Sequence, residues 1–215
     1  MRSCPRSNEP TLSTSNPPRE TVCNTTPVRI FAVTGQFDLL ADALGGVVRI
    51  PREVFDPDED PDLPEALLSE IGRAQRYFAK RSADPEALDR AQRLVALRSR
   101  NDIEVIDLSE DELARSAYLA SRAHARDFGL VAPLGAGESS VMAIAEARGG
   151  RVIIDDAAAR RVLSEIAPHV EIVTSRELLV GAVTEAEILD SAHAMIIYDD
   201  MLAGGYRGPA DLFAT

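Results

Sequence analysis

Short apolar runs alternate along the chain with longer amphipathic stretches, and this alternation predicts a parallel β-sheet flanked by helices. The all-apolar triplet Val152–Ile154 is typical of a strand that is covered on both faces. The predicted strands lie around Val22, Val47–Ile50, Ile103–Ile106, Val152–Ile154 and Glu171–Val173. The pattern therefore favours the α/β class, with a parallel sheet of four or five strands.

The segments between the predicted strands have the apolar spacing of helices. Between the first two strands, apolar residues recur at spacings of three and four and predict a single helix that ends at Gly45 and Gly46. Two helices are predicted between about residues 64 and 100, with a break at Asp84-Pro85. Before them, the run Asp56–Asp62 predicts an extended loop in solvent. The stripe of the first helix consists of Ile30, Val33, Phe37, Leu40 and Leu44.

Further helices are marked by residues that favour helix ends. Ser109 followed by Glu112 is a capping-box pattern and predicts a helix that continues to about Phe128. Gly135-Ala-Gly-Glu138 opens another helix, and the apolar residues three, four and seven positions after its glutamate place that glutamate on the buried face. The last helix is predicted from about Thr184 to Ala203, where two glycines end it.

The composition is that of a globular protein with an acidic body. The chain has 215 residues, of which 45% are hydrophobic, and this predicts a single domain over residues 21–215. Its formal charge of -12 disfavours binding to nucleic acid through bulk positive charge, so any such contact must be local. No apolar stretch reaches the length of a membrane-spanning helix.

The first 20 residues and the cysteines bear on where the protein works. Residues 1–20 are rich in Pro, Ser and Thr but hold almost no large apolar side chain, which predicts a disordered tail rather than a signal peptide. Cys4 and Cys23 are too few for a disulfide framework or a paired metal-binding motif, and they favour a reducing compartment. The predicted location is the cytoplasm.

Polar residues near the predicted strand ends are the first candidates for chemistry. In open α/β sheets, sites form beyond the carboxyl ends of the strands, where residues distant in sequence meet. Oxygen ligands gathered there suit Mg²⁺ or Mn²⁺, which can activate water for attack on a phosphodiester. The candidates are Asn24 after the first strand, Asp56 after the second, Asp155 and Asp156 at the end of the fourth, and Glu138 at a helix start.

Each of these residues also has a purely structural interpretation. Asn24 or either aspartate could cap the following helix, and Glu138 could stabilise the positive end of its helix dipole. For a single residue capping is the commoner role, whereas the grouping of these residues favours a site. Arg160 and Arg161, one turn after Asp156, are the predicted phosphate-binding residues, and surface ion pairs are their alternative role.

Other motifs predict no cofactor site. The Asp56–Asp62 run has the composition of a calcium loop but lacks the glycine and the glutamate that such a loop needs at fixed positions. His124, His169 and His193 lack metal-ligand spacing and are predicted to be surface residues. Cys23 is predicted to be a small buried side chain rather than a nucleophile.

Several short motifs, in their order and spacing, resemble the PIN-domain superfamily, in particular its compact PIN-like branch related to VapC-type toxin ribonucleases. The likeness spans about residues 22 to 212. It includes that branch's opening Asp-x-Ser/Thr-Pro-Leu, its Gly-x-Gly-Glu helix start and its Asp-Asp-x-x-Ala-Arg after the fourth strand. The matching segments are Val22-Cys-Asn-Thr-Thr-Pro-Val28, Gly35-Gln-Phe-Asp-Leu-Leu40, Val48-Arg-Ile-Pro-Arg-Glu-Val54, Gly135-Ala-Gly-Glu138, Ile154-Asp-Asp-Ala-Ala-Ala-Arg160 and Gly205-Tyr-Arg207.

This resemblance implies a three-layer α/β/α sandwich and a metal-dependent endoribonuclease that cleaves RNA phosphodiesters. Glu138 and Asp155 or Asp156 match acidic positions of the family, and the resemblance implies Glu138, Asp155 and Asp156 as the catalytic residues. The opening acid of the family falls on Asn24, which offers an amide oxygen but no charge. Asp56 or Asp58 fills the acidic position after the second strand only with a shifted register. The ligand set that the resemblance implies for Mg²⁺ or Mn²⁺ is Asn24, Asp56, Glu138, Asp155 and Asp156.

Two functional hypotheses follow from the resemblance. The first is a toxin-like ribonuclease, with RNA as its substrate and with a small antitoxin and a second copy of the chain as its partners. The second is a catalytically degenerate PIN-like module that acts by binding a protein or a nucleic acid. Asn24 and the acidic body favour the second hypothesis, whereas Glu138 and the aspartate pair favour the first, towards which the prediction leans.

Overall fold

The centre of the fold is a parallel β-sheet. The computed structural model describes residues 20–186 and 188–214, so Cys4 and the predicted tail up to residue 19 lie outside the described residues. Neighbouring strands pair in parallel in the order β3-β2-β1-β4-β5, and each predicted strand is confirmed. The strands are β1 (Thr21–Cys23), β2 (Val48–Pro51), β3 (Ile103–Ile106), β4 (Arg151–Ile153) and β5 (Glu171–Val173).

Helices cover both faces of the sheet, because successive side chains of a strand point to opposite faces. Cys23 and Ile153 belong to an apolar core shared with the helices of one face, while Val22 and Val152 belong to a second core on the other face. The three-layer α/β/α sandwich is therefore confirmed. The helices are α1 (Thr25–Val33), α2 (Phe37–Ala43), α3 (Glu70–Ala79), α4 (Pro85–Ala96), α5 (Glu110–Leu119), α6 (Arg122–Asp127), α7 (Ala136–Arg148), α8 (Ala157–Ile166), α9 (Ser175–Thr184) and α10 (Ser191–Ala203).

Two segments predicted as single helices are each divided in two. The first divides between α1 and α2, where Gly35 has a φ of 74°, a conformation that favours glycine and ends a helix. The second divides between α5 and α6, where the Ser121 hydroxyl accepts a hydrogen bond from the His124 amide at 3.1 Å and caps a new helix. At these breaks a glycine conformation and a local helix cap end the helix that the sequence pattern predicts to continue.

The last helix begins later than predicted. The segment from Thr184 is not continuous, because α9 ends there and α10 begins only at Ser191. The Asp190 side chain caps α10 by accepting a hydrogen bond from the His193 amide at 2.9 Å. Within residues 20–214, apart from 187, none of the helices combines the length and the apolar character that crossing a bilayer requires.

Two side chains predicted to lie in solvent are buried. Glu59, in the Asp56–Asp62 loop, is 6% exposed, because its carboxylate accepts a hydrogen bond from the Ser69 amide at the start of α3. His124 is 0% exposed and stacks on Phe128 with ring centroids 4.6 Å apart. Each side chain has a further partner, because Arg98 lies 3.7 Å from the Glu59 carboxylate and the Tyr118 ring meets the His124 ring edge-on with centroids 5.4 Å apart. The local polarity of the sequence reveals none of these contacts.

Candidate active site

The strand order places a reversal point at the centre of the sheet. From β1 the sheet is extended through β2 on one side and through β4 on the other, and such a reversal opens a crevice at the carboxyl ends of the strands. The Asn24 amide donates a hydrogen bond to the Ile153 carbonyl at 3.0 Å. Asn24 and the Asp155–Asp156 pair therefore follow neighbouring strands at the same edge, as predicted.

Asn24 binds Glu138 rather than capping its own helix. Its side-chain Nδ2 donates to Glu138 Oε1 at 3.1 Å across 114 positions of sequence, and it makes no capping hydrogen bond to α1. Asn24 is 0% exposed, and its Oδ1 atom is buried without a hydrogen-bond partner in the described part of the chain. A buried acceptor of this kind is costly unless something supplies a partner.

The structure adds an acid that the sequence analysis missed, Glu70 at the first position of α3. Its Oε1 accepts from the Gly137 amide at 3.0 Å, and its Oε2 accepts from the Thr25 hydroxyl. The Glu70 amide itself donates to the Glu53 carbonyl at 3.0 Å, which returns the chain to the end of β2. Glu70 therefore lies between the starts of α1 and α7, where Asp56 was predicted to contribute.

Two glycines of the Gly135-Ala-Gly-Glu138 motif make room for the two glutamates. A Cβ atom on Gly135 would collide with the Glu138 carboxylate and lie 3.4 Å from Glu70 Oε1. A Cβ atom on Gly137 would collide with the Glu70 carboxylate and lie 2.8 Å from the Thr25 hydroxyl. The motif therefore holds two carboxylates at one helix start.

Replacement of Gly137 by Ala is expected to destabilise the protein by about 1 kcal/mol, because the added methyl group displaces Glu70 and Thr25. Gly181, in α9, is the matched control, since a Cβ atom there meets nothing within 4 Å. Gly181→Ala is expected to stabilise by about 0.5 to 1 kcal/mol through the lower backbone entropy of the unfolded chain. Urea unfolding of both variants measures the difference, and an equal gain in both would show that Gly137 is not a packing position.

Burial and charge repulsion both act on the carboxyl group of Glu138. Burial raises the pKa of its carboxyl group, and the like charge of Glu70 raises it further, while the hydrogen bond from Asn24 acts in the opposite direction. Asp156 adds a smaller repulsion. A cation bound between these carboxylates would relieve the repulsion, which is a property expected of a metal site.

Asp155 is held by hydrogen bonds on both of its oxygen atoms. Its Oδ1 accepts from the Ser175 amide at 2.8 Å and from the Tyr206 hydroxyl at 3.1 Å, and its Oδ2 accepts from the Ser175 hydroxyl at 2.6 Å. Burial raises the pKa of Asp155, and these donors oppose the effect. Asp155 thus joins the end of β4 to the start of α9 and to the C-terminal segment.

Asp156 both caps a helix and lines the candidate site. Its Oδ1 caps α8 by accepting from the Ala159 amide at 2.8 Å, as the structural alternative predicted. Its side chain also lines the same open space as Glu138. Capping and a place in the site are compatible, because a carboxylate offers several acceptor positions.

A cleft of about 610 Å³ joins these acids to positively charged side chains. None of its three arginines forms a salt bridge within residues 20–186 and 188–214. The Nε atom of Arg160 is moreover buried without a partner there. The cleft can therefore accept an anion beside the acids. Its charged lining consists of Glu138, Asp155, Asp156, Arg29, Arg160 and Arg207.

Three other predicted residues lie in different settings. Arg161 lines a neighbouring hollow with Glu138, and its guanidinium donates to the Phe128 carbonyl at 3.0 Å. Asp56 is not brought to the cluster, because its Oδ1 accepts from Arg52 at 3.0 Å in the loop after β2. Cys23 is fully buried, and burial raises the pKa of its thiol, so it is not a nucleophile at neutral pH.

The donor set determines which ion this site could hold. Among the described residues, no group of three or more His, Cys, Asp or Glu side chains is arranged to hold a metal ion. Mg²⁺, however, is commonly bound through one or two carboxylates, with water and substrate phosphate completing its shell. Glu70 and Glu138, with the unpartnered amide oxygen of Asn24, fit that mode of binding.

Comparisons with known proteins do not show a family for this chain. No family model matches the chain, and no curated protein matches it. A chain in the crystal structure of VapBC2 from Rickettsia felis bound to a DNA fragment from their promoter is similar, with a TM-score of 0.42 and 13% identity. The match covers 72% of this chain and 98% of that chain. A similarity at this level carries no argument about activity.

Proposed function

We propose that this protein is a PIN-like, Mg²⁺- or Mn²⁺-dependent endoribonuclease. The observation that carries the proposal is the pairing of Glu70 and Glu138 at the start of α7, beside the buried and unpartnered oxygen of Asn24. Burial and the like charge of Glu70 disfavour the ionised form of Glu138, and a bound cation would offset both effects. Their position at the reversal point of the sheet is where open α/β folds bind their ligands.

Glu70, Glu138 and the amide oxygen of Asn24 would hold the metal ion, which when bound supplies a Lewis acid and an activated water for attack on phosphorus. The chain itself fixes these donors. The Gly137 amide and the Thr25 hydroxyl orient the Glu70 carboxylate, and Asn24 orients Glu138. This second layer of hydrogen bonds is the usual means of holding metal ligands in place.

The substrate class follows from the charges of the cleft. Arg29, Arg160 and Arg207 supply local positive charge in a protein whose formal charge is -12. Guanidinium groups bind phosphate oxygens through paired N–H donors. A nucleic-acid backbone is therefore favoured over a neutral substrate, and RNA is the substrate that the motif resemblance implies.

The test is incubation of the purified chain with a labelled single-stranded RNA in Mn²⁺, in Mg²⁺ and in EDTA. We expect cleavage that depends on the metal and stops with EDTA. RNA that stays intact at every metal concentration would reject the ribonuclease proposal. A matched single-stranded DNA shows whether the ribose contributes to recognition.

A specific observation supports a second candidate function, that of a degenerate PIN-like binding module. Asn24 is neutral and donates a hydrogen bond to Glu138, which partly satisfies the acid without a metal. Under this alternative the chain binds a small antitoxin, a second copy of itself or a nucleic acid, as the motif resemblance implies. Binding to RNA without cleavage in any metal would favour it.

A further inference from the structure

The loop between α6 and α7 is unusually apolar for an exposed segment. Residues 129–135 of this loop read Gly-Leu-Val-Ala-Pro-Leu-Gly and include no polar side chain. Surface loops are normally rich in Asn, Asp and Ser as well as Gly and Pro. Val131 at its tip is 108% exposed, while Leu130 and Leu134 anchor the loop by packing against the core. The loop thus presents a fixed apolar surface to solvent.

This apolar loop forms one wall of a hollow of about 550 Å³, which also includes Ala158 and Arg161. The hollow shares Glu138 and Asp156 with the arginine-lined cleft. Two spaces of different character therefore meet at the same acids. One offers guanidinium groups that form no salt bridge in the described part of the chain, and the other offers apolar side chains.

The chemistry of the hollow indicates the kind of group that it can hold. The hollow sets two carboxylates, those of Glu138 and Asp156, against one guanidinium, so it suits a phosphate less well than the cleft with its three arginines, whereas an uncharged planar group can bury its faces against the apolar loop. Nucleobases have such faces, and their amino and imino N–H groups can donate to a carboxylate. Arg161, held by the Phe128 carbonyl at 3.0 Å, adds a guanidinium group of the kind on which bases stack.

We propose that this hollow binds one unpaired nucleobase next to the phosphate that is cleaved, so that the substrate is single-stranded. The inference rests on the proposed function and deepens it. The backbone phosphates lie along Arg29, Arg160 and Arg207, and one base turns into the hollow. A base-paired strand cannot present a free base in this way.

The test compares opposite substitutions at Val131, which is exposed and can change without disturbing the core. Affinity is measured by fluorescence anisotropy with a ten-nucleotide single-stranded RNA, in EDTA and in Mn²⁺, and the probe is checked on a gel afterwards. Val131→Trp is expected to bind at least about fivefold more tightly, because an aromatic ring stacks on a base. Val131→Ser is expected to bind about threefold more weakly, because apolar contact area is lost.

The control is the same pair of substitutions at Val95 of α4, which is 44% exposed and lines neither space. Both Val95 variants are expected to bind as the unmodified protein does. A second probe of equal length keeps the phosphates but carries abasic sugars throughout. With this probe, Val131→Trp is expected to bind no more tightly than the unmodified protein.

Three results would overturn the base-binding inference. They are equal affinities for both Val131 variants, a gain from Val131→Trp that persists with the abasic probe, and no binding of the RNA under either condition. The cleavage assay is read separately. Metal-dependent cleavage with unchanged affinities at Val131 would leave the ribonuclease proposal standing while rejecting the base-binding hollow.

Discussion

Glu138→Gln is expected to lower Mn²⁺-dependent RNA cleavage at least about 100-fold, because it removes one of the two carboxylates proposed to hold the ion. The substitution keeps an acceptor for Asn24 Nδ2, which lies 3.1 Å from Glu138 Oε1. Since burial and Glu70 raise the pKa of Glu138, the ionised carboxylate is disfavoured in the folded state. The neutral variant should therefore be at least as stable as the unmodified chain in the absence of metal.

The matched control is Glu146→Gln on the same helix, α7. Glu146 forms an ion pair with Arg115 at 2.6 Å and lines neither space of the site. Its replacement is expected to leave the cleavage rate within about twofold of the original and to cost at most about 1 kcal/mol of stability. Similar rates for Glu138→Gln and the unmodified protein would remove Glu138 from the site.

Asn24→Asp is expected to lower the Mn²⁺ concentration needed for half-maximal cleavage by between about 10- and 100-fold, because a charged ligand replaces a neutral one. Without metal, the new carboxylate faces Glu138 and the donated hydrogen bond is lost, so stability should fall by about 2 kcal/mol. This corresponds to about 4 to 8 °C in the melting temperature of a chain of this size.

Metal should reverse that loss. Since an ion that binds only the folded state stabilises it, Mn²⁺ is expected to raise the melting temperature of Asn24→Asp more than that of the unmodified chain. Asn101→Asp, at an exposed turn, is the control and should show no such response. Equal responses to Mn²⁺ in all three proteins would show that Asn24 does not occupy a ligand position.

Part of the site could be predicted because it follows directly from strand ends. Asn24 and the Asp155–Asp156 pair come immediately after short apolar strands, and parallel strands bring their carboxyl ends to one edge. Glu138 was predicted from its position on the apolar face of α7, and the structure places its carboxylate against Asn24. In each of these cases the signal was local.

Glu70 could not be found in this way. The loop of residues 56–68 separates Glu70 from β2 in the sequence. Two hydrogen bonds return the start of α3 to the end of β2: the Glu70 amide donates to the Glu53 carbonyl at 3.0 Å, and the Ile71 amide donates to the Val54 carbonyl at 2.9 Å. In the sequence Glu70 resembles any acid in the first turn of a helix, where a negative charge is common. The sequence therefore directed attention to Asp56, the first acid after β2.

The amino-acid sequence by itself determined the α/β class, the five strands and the acids that follow them, because apolar periodicity and strand ends are properties of neighbouring residues. Only the tertiary structure decided the helix breaks, the burial of Glu59 and His124, and the pairing of Glu70 with Glu138. The burial of Glu59 and the pairing of Glu70 with Glu138 depend on contacts between segments far apart in the chain, whereas the helix breaks and the burial of His124 depend on nearby residues whose contacts the apolar pattern does not reveal. Their stability comes from hydrogen bonds and packing that no local pattern records.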